Sequence, residues 1–384
     1  MFVVAIDSVA GAVSSLERQL DRHAGKDLAW ALMYAVEGAP IAELVAAARR
    51  KFPGLPVFGA TSFQGVFSSH GFHRGAGILF GERSEPTRVA VTVSAADAGQ
   101  AFERARSACS ALVESLGGQP QMLLLHATPG FEEKVLAGIA SVFSGEVPVY
   151  GGSAADDEIA GQWRVFANDS IVKQGFLLVG IASDLRPSGG FLSGYLPTEH
   201  TGKVTRAEGR IVHEIDGRPA AVVYNEWAGG AISGELDGGN VLLKTNLLPL
   251  ARTKGVSLGM PRRLLSHPHR VVEKTGSLAF FTELSVGDTL TLMTSMREPL
   301  VTRVRRVVQR ARGARGRKPR GGLLVYCGGC LGVVLDQAGR ISDEFNAEMD
   351  GAPFLGIATF GEQGAFFDKG ESHHGNLMCS AVIL

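Results

Sequence analysis

Leu32-Met33-Tyr34-Ala35, then Ile41 to Arg50, then Pro56-Val57-Phe58-Gly59 is the stretch that decides the fold. The first part is an apolar run of the buried-strand type. The second has helical periodicity with basic residues at its end, and the third opens another strand. Shifted by 92 positions, the pattern returns without a gap. Leu124-Leu125-His126-Ala127 is the strand, Phe131 to Phe143 the helix and Pro148-Val149-Tyr150-Gly151 the second strand. A looser third copy has Leu323-Leu324-Val325-Tyr326-Cys327, a helix from Ile341 to Met349 and Pro353-Phe354-Leu355-Gly356. Repeats of this kind fix the architecture before any residue-level argument begins.

After each Pro-x-x-Gly the chain turns small and polar: Ala60-Thr61-Ser62-Phe63-Gln64-Gly65, Gly152-Ser153-Ala154-Ala155-Asp156-Asp157, and Ile357-Ala358-Thr359-Phe360-Gly361-Glu362. Small residues there allow backbone to approach backbone or a ligand. Each unit closes with an apolar strand, Gly77 to Phe80, Gly175 to Ile181 and Leu377 to Leu384. Adjacent strands after one crossover helix give mixed sheets with antiparallel hairpins. The expected class is therefore an α/β (α+β) layered sandwich built from three strand-helix-strand repeats. Between the second and third copies, Arg210 to Ile215 and Pro219 to Tyr224 flank the turn Asp216-Gly217, and Val286-Gly287-Asp288 precedes the strand Thr289 to Met293. A second domain begins there, with its boundary in the Gly/Pro-rich stretch Pro187 to Lys203.

The 384 residues carry 38 Lys and Arg against 38 Asp and Glu, so no net field gathers nucleic acid or an anionic membrane. No stretch reaches the roughly 18 apolar residues that span a bilayer. The N-terminus lacks a basic leader, and a cytoplasmic location is expected. Arg303 to Arg320 holds nine basic residues and no acid. Leu300, Val301, Val304, Val307 and Val308 form an apolar stripe beside it, so a helix with a solvated basic face, followed by a basic loop, is the better reading than a nucleic-acid surface.

Four cysteines, Cys109, Cys327, Cys330 and Cys379, are too few for a secreted disulfide framework. Cys327-Gly328-Gly329-Cys330 is open to three readings: structural thiols lining a cleft, a redox pair, or half of a zinc site. Its place just past a strand, not at the opening of a helix, favours the first. No Gly-x-Ser-x-Gly, His-Glu-x-x-His or phosphate-binding loop is present, and Glu362, Asp156 and Asp157 read as exposed turn acids. No catalytic residue and no metal site is assigned. If the three polar loops leave equivalent strand ends, Thr61, Ser62, Gly152, Ser153, Asp156, Thr359 and Glu362 converge on one ligand cleft, with Asn225 and Cys327 beside them. The alternative is that small residues merely permit tight sheet packing.

Val204 to Gly209 leading to Ile215-Asp216-Gly217-Arg218-Pro219-Ala220, then Leu323 to Cys327 and Gly356 to Glu362, resemble the C-terminal half of the FIST sensory proteins. Gly59 to Gly65 and Val149 to Asp156 resemble landmarks of the N-terminal half. The resemblance implies a FIST N-type domain over 1–195 and a FIST C-type domain over 196–384. It also implies a non-enzymatic intracellular sensor that binds a small ligand and signals through a partner, a histidine kinase or a cyclic-dinucleotide enzyme. Its most specific version is a haem protein sensing nitric oxide, for which His373, His70 and His73 are the candidate axial ligands. The family's Cys-x-x-Arg is Cys327-x-x-Cys330 here, which removes an arginine that would pair a charged ligand. The competing classes are an enzyme using Cys327, Cys330 or the acidic loop, and a ligand-free adaptor.

Overall fold

The computed structural model describes residues 1–184, 186–257, 259–313, 318–367 and 369–384. Its repeat is longer than the sequence pattern suggests, because each unit also owns a leading strand and a leading helix. The first unit runs Phe2–Ile6, helix Ala12–Asp21, strand Leu28–Ala35, helix Ile41–Lys51, strand Val57–Thr61, a hairpin Val66–Ser68/Gly71–His73 and strand Ala76–Glu82. The second repeats this order from Thr87–Ala95 to Gly175–Ser183, with helices Ala101–Leu116 and Glu132–Phe143. In the third, the leading strand Ser188–Ser193 is parted from its helix Arg297–Arg312 by a nine-stranded antiparallel sheet. The expected break at 195/196 falls between that leading strand and the first long strand of the insertion, Leu196–Glu208.

Each unit forms a six-stranded mixed sheet by lending its hairpin to a neighbour. The first unit's hairpin pairs with Phe354–Thr359 of the third. The second unit's hairpin pairs with Val57–Thr61 of the first, and the third unit's with Val149–Gly152 of the second. Three backbone bonds close the same ring at the centre: Phe63 N–H to Ala358 O (3.0 Å), Phe360 N–H to Ser153 O (3.1 Å) and Ala155 N–H to Thr61 O (3.0 Å). The exchange makes the three units one cooperative body, since no sheet is complete without the next.

Alternation along the strands sorts side chains between two layers. Trp30, Leu32 and Tyr34 face a central core shared by all three sheets, while Ala31, Met33 and Ala35 face the helices of their own unit. Leu124 likewise points to the centre and Leu123 and Leu125 outward. The Pro-x-x-Gly glycines have a packing cause. A Cβ at Gly59 would lie 1.6 Å from Met33 O and one at Gly151 1.8 Å from Leu125 O. Any side chain there would force the two parallel strands apart.

The expected mixed α/β architecture is present, with one local correction. Pro219 to Tyr224 reads as a strand, yet only Arg218–Pro219 pair with Glu214 and Ile215 before helix Ala220–Trp227 begins. Proline with its fixed φ starts a helix well, and the two alanines after it favour continuing one. In helix Arg297–Arg312 the stripe Leu300, Val301, Val304, Val307 and Val308 is buried, and Arg305 and Arg312 on the other side pair with Glu344 and Asp350. Four residues of the expected basic loop, 314–317, lie outside the described residues. Among the described residues no helix is long and apolar enough to cross a membrane.

Candidate functional site

The ring of exchanged loops leaves a cavity of about 350 Å³ where all three units meet the insertion. Phe63 and Phe360, from equivalent positions of two loops, stand with ring centroids 5.6 Å apart on one wall. Trp163 meets Phe360 edge-on, and Leu242, Leu243 and Phe281 come from the insertion. The third loop has Ala155 where the others have phenylalanine, which breaks the threefold pattern.

Polar groups on this wall are few. Cys327 and Thr359 are the sequence-expected residues that line it. His267 also lines it, but Thr245 Oγ1 lies 2.9 Å from its Nε2 and burial pulls its imidazole down to about 3, so it stays neutral. Asn246 is buried, and its side-chain Oδ1 has no hydrogen-bond partner among the described residues. A buried acceptor without a donor is unfavourable by about 1–3 kcal/mol, which a ligand donor would relieve.

The remaining expected residues serve the frame around the cavity. Ser62 Oγ bonds Gly65 O and accepts from Ala358 N–H at 2.9 Å. Thr61 Oγ1 accepts from Arg164 N–H, and Gly152 O accepts from His126 Nδ1 at 2.8 Å. Asp156, fully buried and not an exposed turn acid, receives the N–H groups of Ala160 and Gln162. Asn225 caps a turn of the insertion by accepting from Ile232 N–H at 2.9 Å. Glu362 is also fully buried, directly behind the cavity wall. It accepts from Thr359 Oγ1 and Met378 N–H, both at 2.9 Å, and burial pushes its carboxyl up to about 8.

The Cys-x-x-Cys segment corrects another expectation, because it does open a helix. Cys327 ends strand Gly322–Cys327 and directly precedes helix Gly328–Val334, so both thiols fall within one turn. Arg303, which sequence reasoning placed on a solvated face, is completely buried beside Cys330. Its spacing on the apolar stripe, one residue before Val304, is the only signal that could have revealed it.

A second constellation surrounds Ser153. Its hydroxyl donates to Glu132 Oε1 at 2.7 Å, and Arg210 Nη2 reaches both Glu132 and Glu133 at 2.6 Å. Gln363 Nε2 lies 3.0 Å from His374 Nδ1, and the other ring nitrogen of His374, Nε2, is 3.8 Å from Glu132. Glu132, Glu133 and His374 could ligate a cation, and Arg210 already contacts both carboxylates with its one positive charge. Next to them lies a cavity of about 490 Å³ between helix Glu132–Phe143 and the insertion, with His373, Arg252 and Lys254 on its walls. Of the other two histidines singled out, His73 is tied to Ser68 and Asp7, and His70 is exposed on the hairpin.

Among solved structures, a cyanuric acid hydrolase overlays 100% of this chain with 98% of its own, at a TM-score of 0.38 and 9% identity. An uncharacterized protein of Methanocaldococcus jannaschii, MJ1623, is 34% identical over 80 residues, which is 21% of this chain. The match spans 16% of that relative's length. The FIST N domain description matches residues 29–218 and the FIST C domain description residues 220–365. With the two halves matched in order and together covering most of the sequence, the chain belongs to the FIST family.

Proposed function

We propose that the protein is a sensor whose ligand is a small, mainly apolar molecule bearing one hydrogen-bond donor, held in the 350 Å³ cavity. FIST domains are associated with small-ligand sensing in signal transduction. The observation that carries the reading is Asn246 Oδ1, a buried acceptor left unpaired on a mainly apolar wall whose other polar members are His267, Cys327, Thr359 and Asn376. Apolar burial supplies affinity in such a pocket and the few polar atoms fix orientation. Because the wall is shared by the exchanged loops and the insertion, a ligand would tie Leu242, Leu243 and Phe281 to Phe63 and Phe360. A partner kinase or cyclic-dinucleotide enzyme reading the insertion's position would receive the signal.

The test is thermal unfolding against a panel of small apolar alcohols, amides and indoles. A ligand at a hundred times its dissociation constant stabilises by about 2.7 kcal/mol. The shift should vanish in Asn246→Ala while Asn225→Ala keeps it. No shift with any such compound, at concentrations where controls respond, sinks the proposal.

The haem version has a specific observation of its own in the second cavity. Burial pulls the imidazole of His373 below its ordinary range, although its Nδ1 lies 3.7 Å from Glu371 Oε2. His373 would ligate the iron there, with Lys254 on the same cavity wall to meet a propionate. Bound haem would supply an iron able to take up a diatomic gas. Haem titration separates the two: a Soret band lost in His373→Ala favours this version, and a featureless spectrum removes it.

A further inference from the structure

The third unit's wall of the apolar cavity holds chemistry that ligand binding does not use. Cys327 is 5% exposed and lines the cavity, and Cys330 is fully buried one helical turn on. Both are free thiols. Tyr195 Oη lies 3.5 Å from Cys330 Sγ. Arg303 is buried against the same thiol, its guanidinium 4.7 Å from the Tyr326 ring centroid.

Arg303 is short of partners. Its Nη1 donates to Leu377 O at 2.7 Å, but Nε and Nη2 have no well-aligned acceptor and no carboxylate pairs with it among the described residues. A guanidinium does not give up its proton, so this buried charge needs an anion nearby. Glu362 does not supply it at neutral pH, since burial, and then the charge of Cys330, hold its carboxyl protonated. Cys330 does. Burial opposes its ionisation, but the Cys327 thiol and the Arg303 guanidinium more than offset that and bring it below the usual thiol range. Cys327 is pushed the other way, by burial first and then by its hydrogen bond to Cys330.

We infer that Cys327 and Cys330 form a thiol–disulfide exchange site, with a small uncharged disulfide entering the apolar cavity as co-substrate and Arg303 holding Cys330 as the anionic member. Cys330 takes the proton of Cys327, whose sulfur attacks one sulfur of the small disulfide and expels a thiolate, leaving a mixed disulfide on Cys327. The expelled thiolate takes the proton from Cys330 and leaves as a thiol. Cys330 then attacks the Cys327 sulfur, forms the internal disulfide and releases the second half as a thiolate. The protein pair is oxidised and the small disulfide reduced. Oxidation also removes the counter-charge of Arg303, which gives the third unit two states that differ by one buried charge. The site shares the cavity of the proposed sensor but not its ligand, so either reading can fail without the other.

Reduced protein is incubated with 2-hydroxyethyl disulfide, quenched in acid, alkylated and mapped by mass spectrometry. The expected product is one disulfide joining Cys327 to Cys330, reversed by dithiothreitol, with Cys109 and Cys379 unmodified. Cys330→Ser should stop at a mixed disulfide on Cys327 on longer incubation, and Cys327→Ser should give no adduct. Arg303→Met should move the pH midpoint of exchange upward and slow it about tenfold or more at neutral pH. If that variant does not fold by circular dichroism, the folded Cys330→Ser protein decides: an adduct on Cys327 supports the site and its absence overturns it. Wild-type protein in which both thiols stay free under excess disulfide overturns it as well, even where small ligands bind the cavity.

Discussion

Glu132 in the second unit and Arg303 at the third are both charges taken out of water, and the chain treats them differently. Glu132 accepts from Ser153 and Gly130 and is paired with Arg210, whose guanidinium also holds Glu133. Arg303 has one backbone carbonyl and a thiol. The first arrangement is closed: both carboxylates share an ion pair with Arg210, which, in the turn before Ile211–Ile215, fastens the inserted sheet to helix Glu132–Phe143. The second is open, and its balance depends on the protonation and oxidation state of a cysteine. Two units of one repeat thus carry, on different helices, a lock in one case and a responsive group in the other.

The largest effect should come from breaking the lock. Arg210→Met leaves Glu132 buried without its cation and should destabilise by about 3–5 kcal/mol in urea unfolding. Burial raises the Glu132 carboxyl, but His374 and Arg210 outweigh it and hold it below its usual range. Its contribution is therefore present above the ordinary carboxylate value and lost as pH falls below it, and that acid-side loss should shrink in the variant. A change under about 1 kcal/mol would mean the pair is not a lock.

Glu362 sharpens the other side of the comparison, with an opposite sign. Its folded-state value of about 8 lies above the unfolded 4.5, so it binds a proton on folding. Stability from this group is full below about 4.5 and lost as pH rises toward 8. Glu362→Gln should remove that falling limb and be more stable than wild type at pH 8 by roughly 1–3 kcal/mol. Parallel stability–pH curves for the two proteins would place Glu362 among ordinary ionised acids.

What the sequence reveals of this contrast is uneven, for physical reasons. The repeat, the glycines and the buried strands are local patterns, and the mixed sheets follow from them. The hairpin exchange is not local: Val66–Ser68 pairs with Leu355 to Ile357, nearly three hundred residues away, and nothing in either segment names the other. The expected site residues Cys327 and Thr359 do line the cavity, because each ends a strand at the ring. Asp156 and Glu362 look like turn acids because acids in small-residue loops are ordinarily solvated. Here three loops cover one another, and both carboxyls are fully buried. Arg303 was hidden by its neighbours, since a run of nine basic residues suggests a uniformly solvated face.

The cavity can be closed without touching either buried charge. Gly332 lies on its wall in helix Gly328–Val334, and a Cβ there meets nothing within 4 Å. Gly332→Leu should weaken binding of any cavity ligand at least tenfold, or about 1.4 kcal/mol. The same change should stabilise the free protein by about 1 kcal/mol through helix propensity. Stability and binding moving in opposite directions would mark the cavity as a place kept open for a ligand. Undiminished binding would send the ligand to the second cavity, beside the lock.

The smallest effect is expected at Asn225, which belongs to neither charge. Its side chain accepts from Ile232 N–H and donates to Ser233 Oγ at 3.1 Å, within one turn of the insertion. Asn225→Ala removes both bonds from a half-buried site, and unfolding should register a loss of about 1 kcal/mol. Ligand affinity and the rate of exchange at Cys327 should not change, because no cavity residue depends on this turn. Were either to fall several-fold, the turn after helix Ala220–Trp227 would be coupled to the ring of loops. The division into a closed lock and an open responsive cluster would then have to include the insertion as a third, moving part.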